Sequence, residues 1–254
     1  MRTAFFPRHT PDAGQQWLAY DWLLWPALWL LALAISRLTD IDMTLASGFY
    51  DPVARQFPLS HDPFWAKVLH DDVKHLNAGL WVLLLAATLR AWRRQDLARY
   101  EPMVFVLLTS AAVVLLNGVL KNHSAHSCPW SLSVFGGNAD YFRLLGSLPT
   151  NPGPGHCLPS GHAGVAFMWW PAVYACARWR PQWRWPAALL VTGFGVFCGY
   201  VQMVRGAHFL THILIAAAVC GGISSLAYHL PDLAAFLRKV GGLRTRVGSQ
   251  GAPT

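Results

Sequence analysis

Six apolar stretches run along the chain, at residues 17–35, 78–91, 102–120, 161–177, 185–204 and 208–230, each closed by charged or Gly/Pro-rich sequence. A helix that crosses a bilayer needs about 20 apolar residues, so 102–120 reads as a clean span and 78–91 as one that needs its flanks. In 17–35 the run is interrupted by Asp21 and Pro26. Asp21 lies close enough to the end for its carboxylate to sit at the interface. The stretch 36–77 is polar and rich in Asp, and within it 64–69 (FWAKVL) reads as a short amphipathic helix on the membrane surface. A Gly/Pro/Ser-rich loop occupies 121–160. The pattern predicts an all-α polytopic membrane protein with about six spans. It forms a single domain over 1–254, with a polar tail at 1–16 and a disordered tail at 240–254.

Composition agrees with that class. Hydrophobic residues make up 54% and charged residues only 13%, about half the share of an ordinary soluble domain. A net charge of +8 invites a nucleic-acid reading, but the basic residues lie in short clusters between apolar runs rather than in one patch. The same clusters give an orientation. With six spans, 13 of the 20 Lys and Arg fall on the side of both termini, and seven of the eleven Asp fall on the other. The termini are therefore expected in the cytoplasm, and the 121–160 loop outside, with the turn at Arg205–His208 on the same face.

The chemistry-bearing residues gather on that face. Pro159-Ser160-Gly161-His162 is a turn that runs into an apolar helix. At such a helix start the first N–H groups lack intrahelical partners and the macrodipole favours an anion, so hydroxyl, glycine and imidazole make a phosphate cradle. The plainer account is that Ser160 caps the helix and His162 is incidental. Lys121 ends the third stretch; Arg205 and His208 open the sixth, and His212 lies one turn beyond His208 on the same helix face. Lys121 and Arg205 also fit simple headgroup snorkelling. A His pair at i, i+4 suits a metal, yet no Asp or Glu neighbours it and His-Glu-x-x-His is absent, so no metal and no cofactor is expected. Histidines, Lys, Arg and Ser around a helix N-terminus point instead to phosphoryl transfer by positioning and charge stabilisation.

These residues resemble the type 2 phosphatidic acid phosphatases, membrane lipid phosphatases whose site is shared with vanadium-dependent haloperoxidases. Their signatures read Lys-x6-Arg-Pro, Pro-Ser-Gly-His and Ser-Arg-x5-His-x3-Asp. Here Lys121 is followed after six residues by Cys128-Pro129, so Cys stands where Arg is usual. The second signature is complete at 159–162. In the third, His208 is in place, but Gln202 holds the Arg position and His212 the Asp position. The resemblance implies that His208 attacks phosphorus to give a phosphohistidine. His162 then protonates the leaving oxygen and activates water, while Lys121, Ser160 and the Gly161 N–H hold phosphate oxygens. Arg205 is the candidate to replace a missing arginine, and His212 to orient His208 by hydrogen bonding. Asp140, His123, His126 and His156 are weaker candidates from the loop.

The resemblance implies a phosphorylated lipid as partner: undecaprenyl pyrophosphate, lipid A, phosphatidylglycerophosphate or phosphatidic acid. The expected setting is the bacterial inner membrane with the site facing the periplasm. A non-catalytic lipid-binding or transport-associated protein on the same scaffold is the alternative class. Of the five cysteines, Cys128 and Cys157 fall in the loop; in an oxidising compartment they are the candidate disulfide pair, tying the first signature to the second.

Overall fold

The structure, a computed structural model, describes residues 20–240. The tails expected at 1–16 and beyond 240 lie outside the described residues. Within them the fold is all-α, with α1 at Asp21–Leu38, α2 at Ile41–Phe49, α3 at Val73–Arg93 and α4 at Leu97–Asn122. After the loop come α5 at Gly161–Phe167, α6 at Trp170–Trp179, α7 at Arg184–Val204 and α8 at Leu210–Val240.

Among the described residues, four helical segments are long and apolar enough to cross a bilayer: Asp21–Leu38, Ala98–Asn122, Pro181–Val204 and Leu210–Leu230. Their outer faces carry exposed Leu23, Leu31, Leu108, Leu115, Leu189 and Leu190, as expected where lipid replaces water. This is an integral membrane protein. The other two expected spans correspond to α3 and to the α5–α6 pair. Residues 161–177 do not form one helix, because Pro171 cannot donate to the carbonyl of Phe167 and its ring crowds that group. α5 accordingly stops at Phe167, and Pro171 opens α6.

α8 is the central helix, with 61% of its apolar window buried against 22% for α1, and it packs on α1, α4, α5, α6 and α7. Without a hydrophobic driving force between helices in lipid, close approach depends on small residues. Gly195 of α7 lies under the Phe167 ring of α5, and Gly199 under Ile213 of α8. A cluster of Val113, Ala163, Phe167, Ile213, Ala216 and Cys220 then fixes the start of α5 against α4 and α8.

Asp21 opens α1 at the span end, as expected, and is buried there against protein: it is 4% exposed, accepts a hydrogen bond from Tyr174 Oη, and has His229 Nε2 2.8 Å away. Two expectations change. Residues 64–69 are not a separate surface helix but part of a π-helical segment, Phe64–Asp72, that continues into α3. Asp62 starts it, its Oδ1 accepting from Phe64 N at 2.9 Å and Trp65 N at 3.1 Å. The 121–160 loop is a folded cap with its own core, in which Leu132, Phe135 and Ala139 pack on Phe57, Ala46 and Phe209.

Candidate active site

Four chain segments converge at the N-terminal ends of α5 and α8. The first is the α5 start. Ser160 Oγ accepts from Ala163 N at 3.4 Å, so the capping account of Ser160 holds. Capping uses the oxygen and leaves the hydroxyl proton free to donate. Ser160 N donates to His212 O at 3.0 Å, which ties this turn to α8. Asn117 Nδ2 of α4 reaches Ser160 O at 3.5 Å. Gly161 leaves room for the lysine: a Cβ there would lie 3.3 Å from Lys121 Cε, a tight contact to which that side chain would have to yield. Lys121 lies across the helix start and donates to His156 O.

The second segment is the turn from α7 to α8. Gly206 has φ +68°, a left-handed cap that lets Ala207 N and His208 N both donate to Gln202 O, at 2.9 and 3.3 Å. A side chain at 206 would also strike Phe57. The turn thus sets His208 just ahead of α8. Arg205 is buried rather than snorkelling. Its Nη1 donates to Gln202 Oε1 at 3.4 Å and its Nη2 to Ser60 O at 3.3 Å. The residue at the missing arginine's position therefore holds the arginine that stands nearby.

The third is the cap. Cys128 and Cys157 form a disulfide, with Cα atoms 5.2 Å apart. Backbone bonds from His156 N to Ser124 O and from Cys157 N to His126 O run beside it, and Trp130 N donates to Gly206 O. The first, second and third signatures are thereby joined. Cys157 Sγ also lies 2.9 Å from Ala207 O and 3.3 Å from His208 Nδ1.

The fourth is the π-helical segment, which was not singled out as part of the site. His162 Nε2 lies 3.1 Å from Leu69 O, and the His70 ring is 4.7 Å from that of His162. Asp71 Oδ1 is 2.9 Å from His70 Nδ1 and 3.6 Å from Lys74 Nζ. The Lys74 charge acts on His70, His162 and Lys121, and that of Arg205 acts on His70 and His162. Only helical packing places this segment here; its His-Asp-Asp run was a weak signal inside an acidic stretch.

The electrostatics are those of a site short of anions. Burial first, and then the Lys121 charge, lower the pKa of His208 to about 3, so its imidazole is neutral at physiological pH. Burial likewise lowers the Arg205 pKa, with Asp71 opposing. Among the described residues, buried side-chain polar atoms without a partner include Gln202 Nε2, Arg205 Nε, His162 Nδ1 and His212 Nδ1. Buried polar groups are normally satisfied, so these partnerless nitrogens stand out in the region that also holds Lys121 and His208. His208 and His212 meet edge to face at 5.8 Å between ring centroids, not through a hydrogen bond, so the orienting contact to His208 Nδ1 comes from Cys157. His126 stacks on Phe142 at 4.1 Å and lies 6.2 Å from His212. Asp140 is exposed, and His123 Nδ1 donates to Val119 O at the end of α4.

Comparison with known proteins adds family and fold. Residues 101–235, just over half of the chain, match the family model described as the PAP2 superfamily. No curated protein matches the chain. A crystal structure of a transmembrane PAP2-type phosphatidylglycerolphosphate phosphatase from Bacillus subtilis is similar in fold. The TM-score is 0.52 at 16% identity, over 89% of this chain and 100% of that one.

Proposed function

The chain belongs to the PAP2 superfamily, and on that premise we propose that it is a lipid phosphatase that cleaves a phosphate monoester or pyrophosphate through a phosphohistidine. His208 Nδ1 faces Cys157, which leaves Nε2 with a free lone pair on a neutral ring. That lone pair attacks phosphorus, the P–O bond to the lipid breaks, and His162 gives its proton to the leaving oxygen. Water then attacks the phosphohistidine, His162 takes the water proton, and inorganic phosphate leaves as the P–N bond breaks. A bound phosphate dianion supplies the negative charge that favours the protonated His162 and lets it carry the proton. Lys121, the Ser160 hydroxyl, the Gly161 N–H and Arg205 hold the non-bridging oxygens, with no metal in the reaction.

The observation that carries this reading is that Lys121 and His162 lie close enough to act on the buried His208, with Arg205 Nε and Gln202 Nε2 buried and without partners at the same turn. A periplasmic site in the bacterial inner membrane is supported by the disulfide, which needs an oxidising compartment, and by the bias of basic residues toward the other face. The substrate is a phosphorylated lipid, with phosphatidylglycerophosphate, undecaprenyl pyrophosphate, lipid A and phosphatidic acid as candidates. The test is metal-free phosphate release from these four lipids by purified protein. His208→Ala should abolish release while expression is unchanged; release that survives the substitution excludes His208 as nucleophile.

A further inference from the structure

The histidine pair at 208 and 212 lacks a third ligand in the sequence, but the fold supplies one. Cys157 Sγ, His208 and His212 each offer a donor atom, and the three lie within 4.8 Å of one another, all buried. Sγ and His208 Nδ1 are 3.3 Å apart. Zn–S and Zn–N bonds of about 2.3 and 2.0 Å at a tetrahedral angle put sulfur and nitrogen about 3.5 Å apart, so this edge already fits zinc. Closing the longest separation needs about 1 Å of ring movement. What blocks the site is the bridge to Cys128, since a disulfide sulfur carries no thiolate charge.

We propose that the Cys128–Cys157 disulfide masks a Cys-His-His zinc site built on His208, which forms once the bridge is reduced. A dithiol reductant delivers two electrons and two protons to the S–S bond and is itself oxidised to a disulfide. The two cysteines become thiols, and Cys157 releases its proton as the thiolate takes Zn2+. His208 and His212 bind as neutral imidazoles, and the fourth position is open to water or phosphate. One thiolate and two imidazoles are soft to borderline donors, which select Zn2+ over Mg2+ or Ca2+. Zinc ligation occupies His208, so the loaded protein should lose phosphate release; that consequence rests on the phosphohistidine reading, whereas binding does not.

Cys128→Ser tests this without reductant, because it leaves Cys157 as a free thiol. Full-length Cys128→Ser in detergent should take up one Zn2+ per chain, measured by competition with a chromophoric chelator. Co2+ should give a thiolate-to-cobalt charge-transfer band. The Cys128→Ser/Cys157→Ser protein and oxidised wild type should bind at least about tenfold more weakly, and wild type reduced with a phosphine should bind like Cys128→Ser. Equal binding by the single and double variants, or no gain on reducing the wild type, overturns the site. Tight zinc with the cobalt band but undiminished phosphate release supports the site and instead refutes His208 as the nucleophile.

Discussion

Arg205→Lys keeps a positive charge at the site but removes the planar fork, and so separates charge from geometry. In the free protein two of the guanidinium nitrogens are committed, Nη1 to Gln202 and Nη2 to Ser60, while Nε has no partner. A lysine ammonium has its donors on one atom and cannot hold the Gln202–Ser60 frame while also reaching phosphate. Hydrogen bonds to charged groups contribute about 1.5–3 kcal/mol each. Loss of one from the transition state lowers turnover by about 10- to 150-fold at 1.36 kcal/mol per decade. Arg205→Ala should lose more, and should also destabilise the fold by about 1–3 kcal/mol because Gln202 Oε1 is left buried and unpaired. The assay is phosphate release in detergent micelles, run beside thermal unfolding of each variant. Full turnover by Arg205→Ala, or a deficit matched by an equal loss of folded protein, would refute a phosphate contact.

Gly164→Ala places a Cβ 2.5 Å from Asn117 Nδ2, so Asn117 must give up Ser160 O. The expected result is a loss of about 1–3 kcal/mol in thermal unfolding together with lower turnover, and an unchanged variant would show that Asn117 does not position the cradle. His126 is held below its ordinary 6.5 by burial, beside Phe142 and His212. With the folded pKa depressed, the unfolded chain binds the proton first as pH falls, so this stability is present above about 6.5 and is lost below it. His126→Phe should narrow the difference in unfolding temperature between about pH 7.5 and pH 5.5, and an equal difference in both proteins rejects the assignment. A secreted-phosphatase reporter fused after Asp140 should be active and one at the C-terminus inactive; the reverse pattern sinks the proposed orientation.

The sequence showed the residues that belong to local signatures. Pro159-Ser160-Gly161-His162 was legible because a turn followed by an apolar run marks a helix N-terminus whatever surrounds it. Arg205 was legible from its three-residue distance to His208. The pairing of Cys128 with Cys157 followed from their shared loop and was found in the structure. The partners of Asp21, Tyr174 and His229, were not legible because they are 153 and 208 residues away in the chain. His70, Lys74 and Asn117 escaped for the same reason, being brought to the site by packing of the π-helical segment, α3 and α4 rather than by any pattern of their own. The break between α5 and α6 was readable from Pro171, had its effect on Phe167 been followed through.

The π-helical entry to α3 has an evolutionary consequence. Its hydrogen bonds run from i to i+5, each spanning one residue more than those of the α-helix they lead into. A single-residue deletion within Phe64–Asp72 would let the segment relax to α-helix, turning the residues N-terminal to the cut by about 100° around its axis. Leu69 O and the His70–Asp71 pair would then be re-aimed relative to His162, with the Lys121, Ser160 and His208 signatures intact. A one-residue change here should therefore alter the surroundings of His162 while every signature residue keeps its identity.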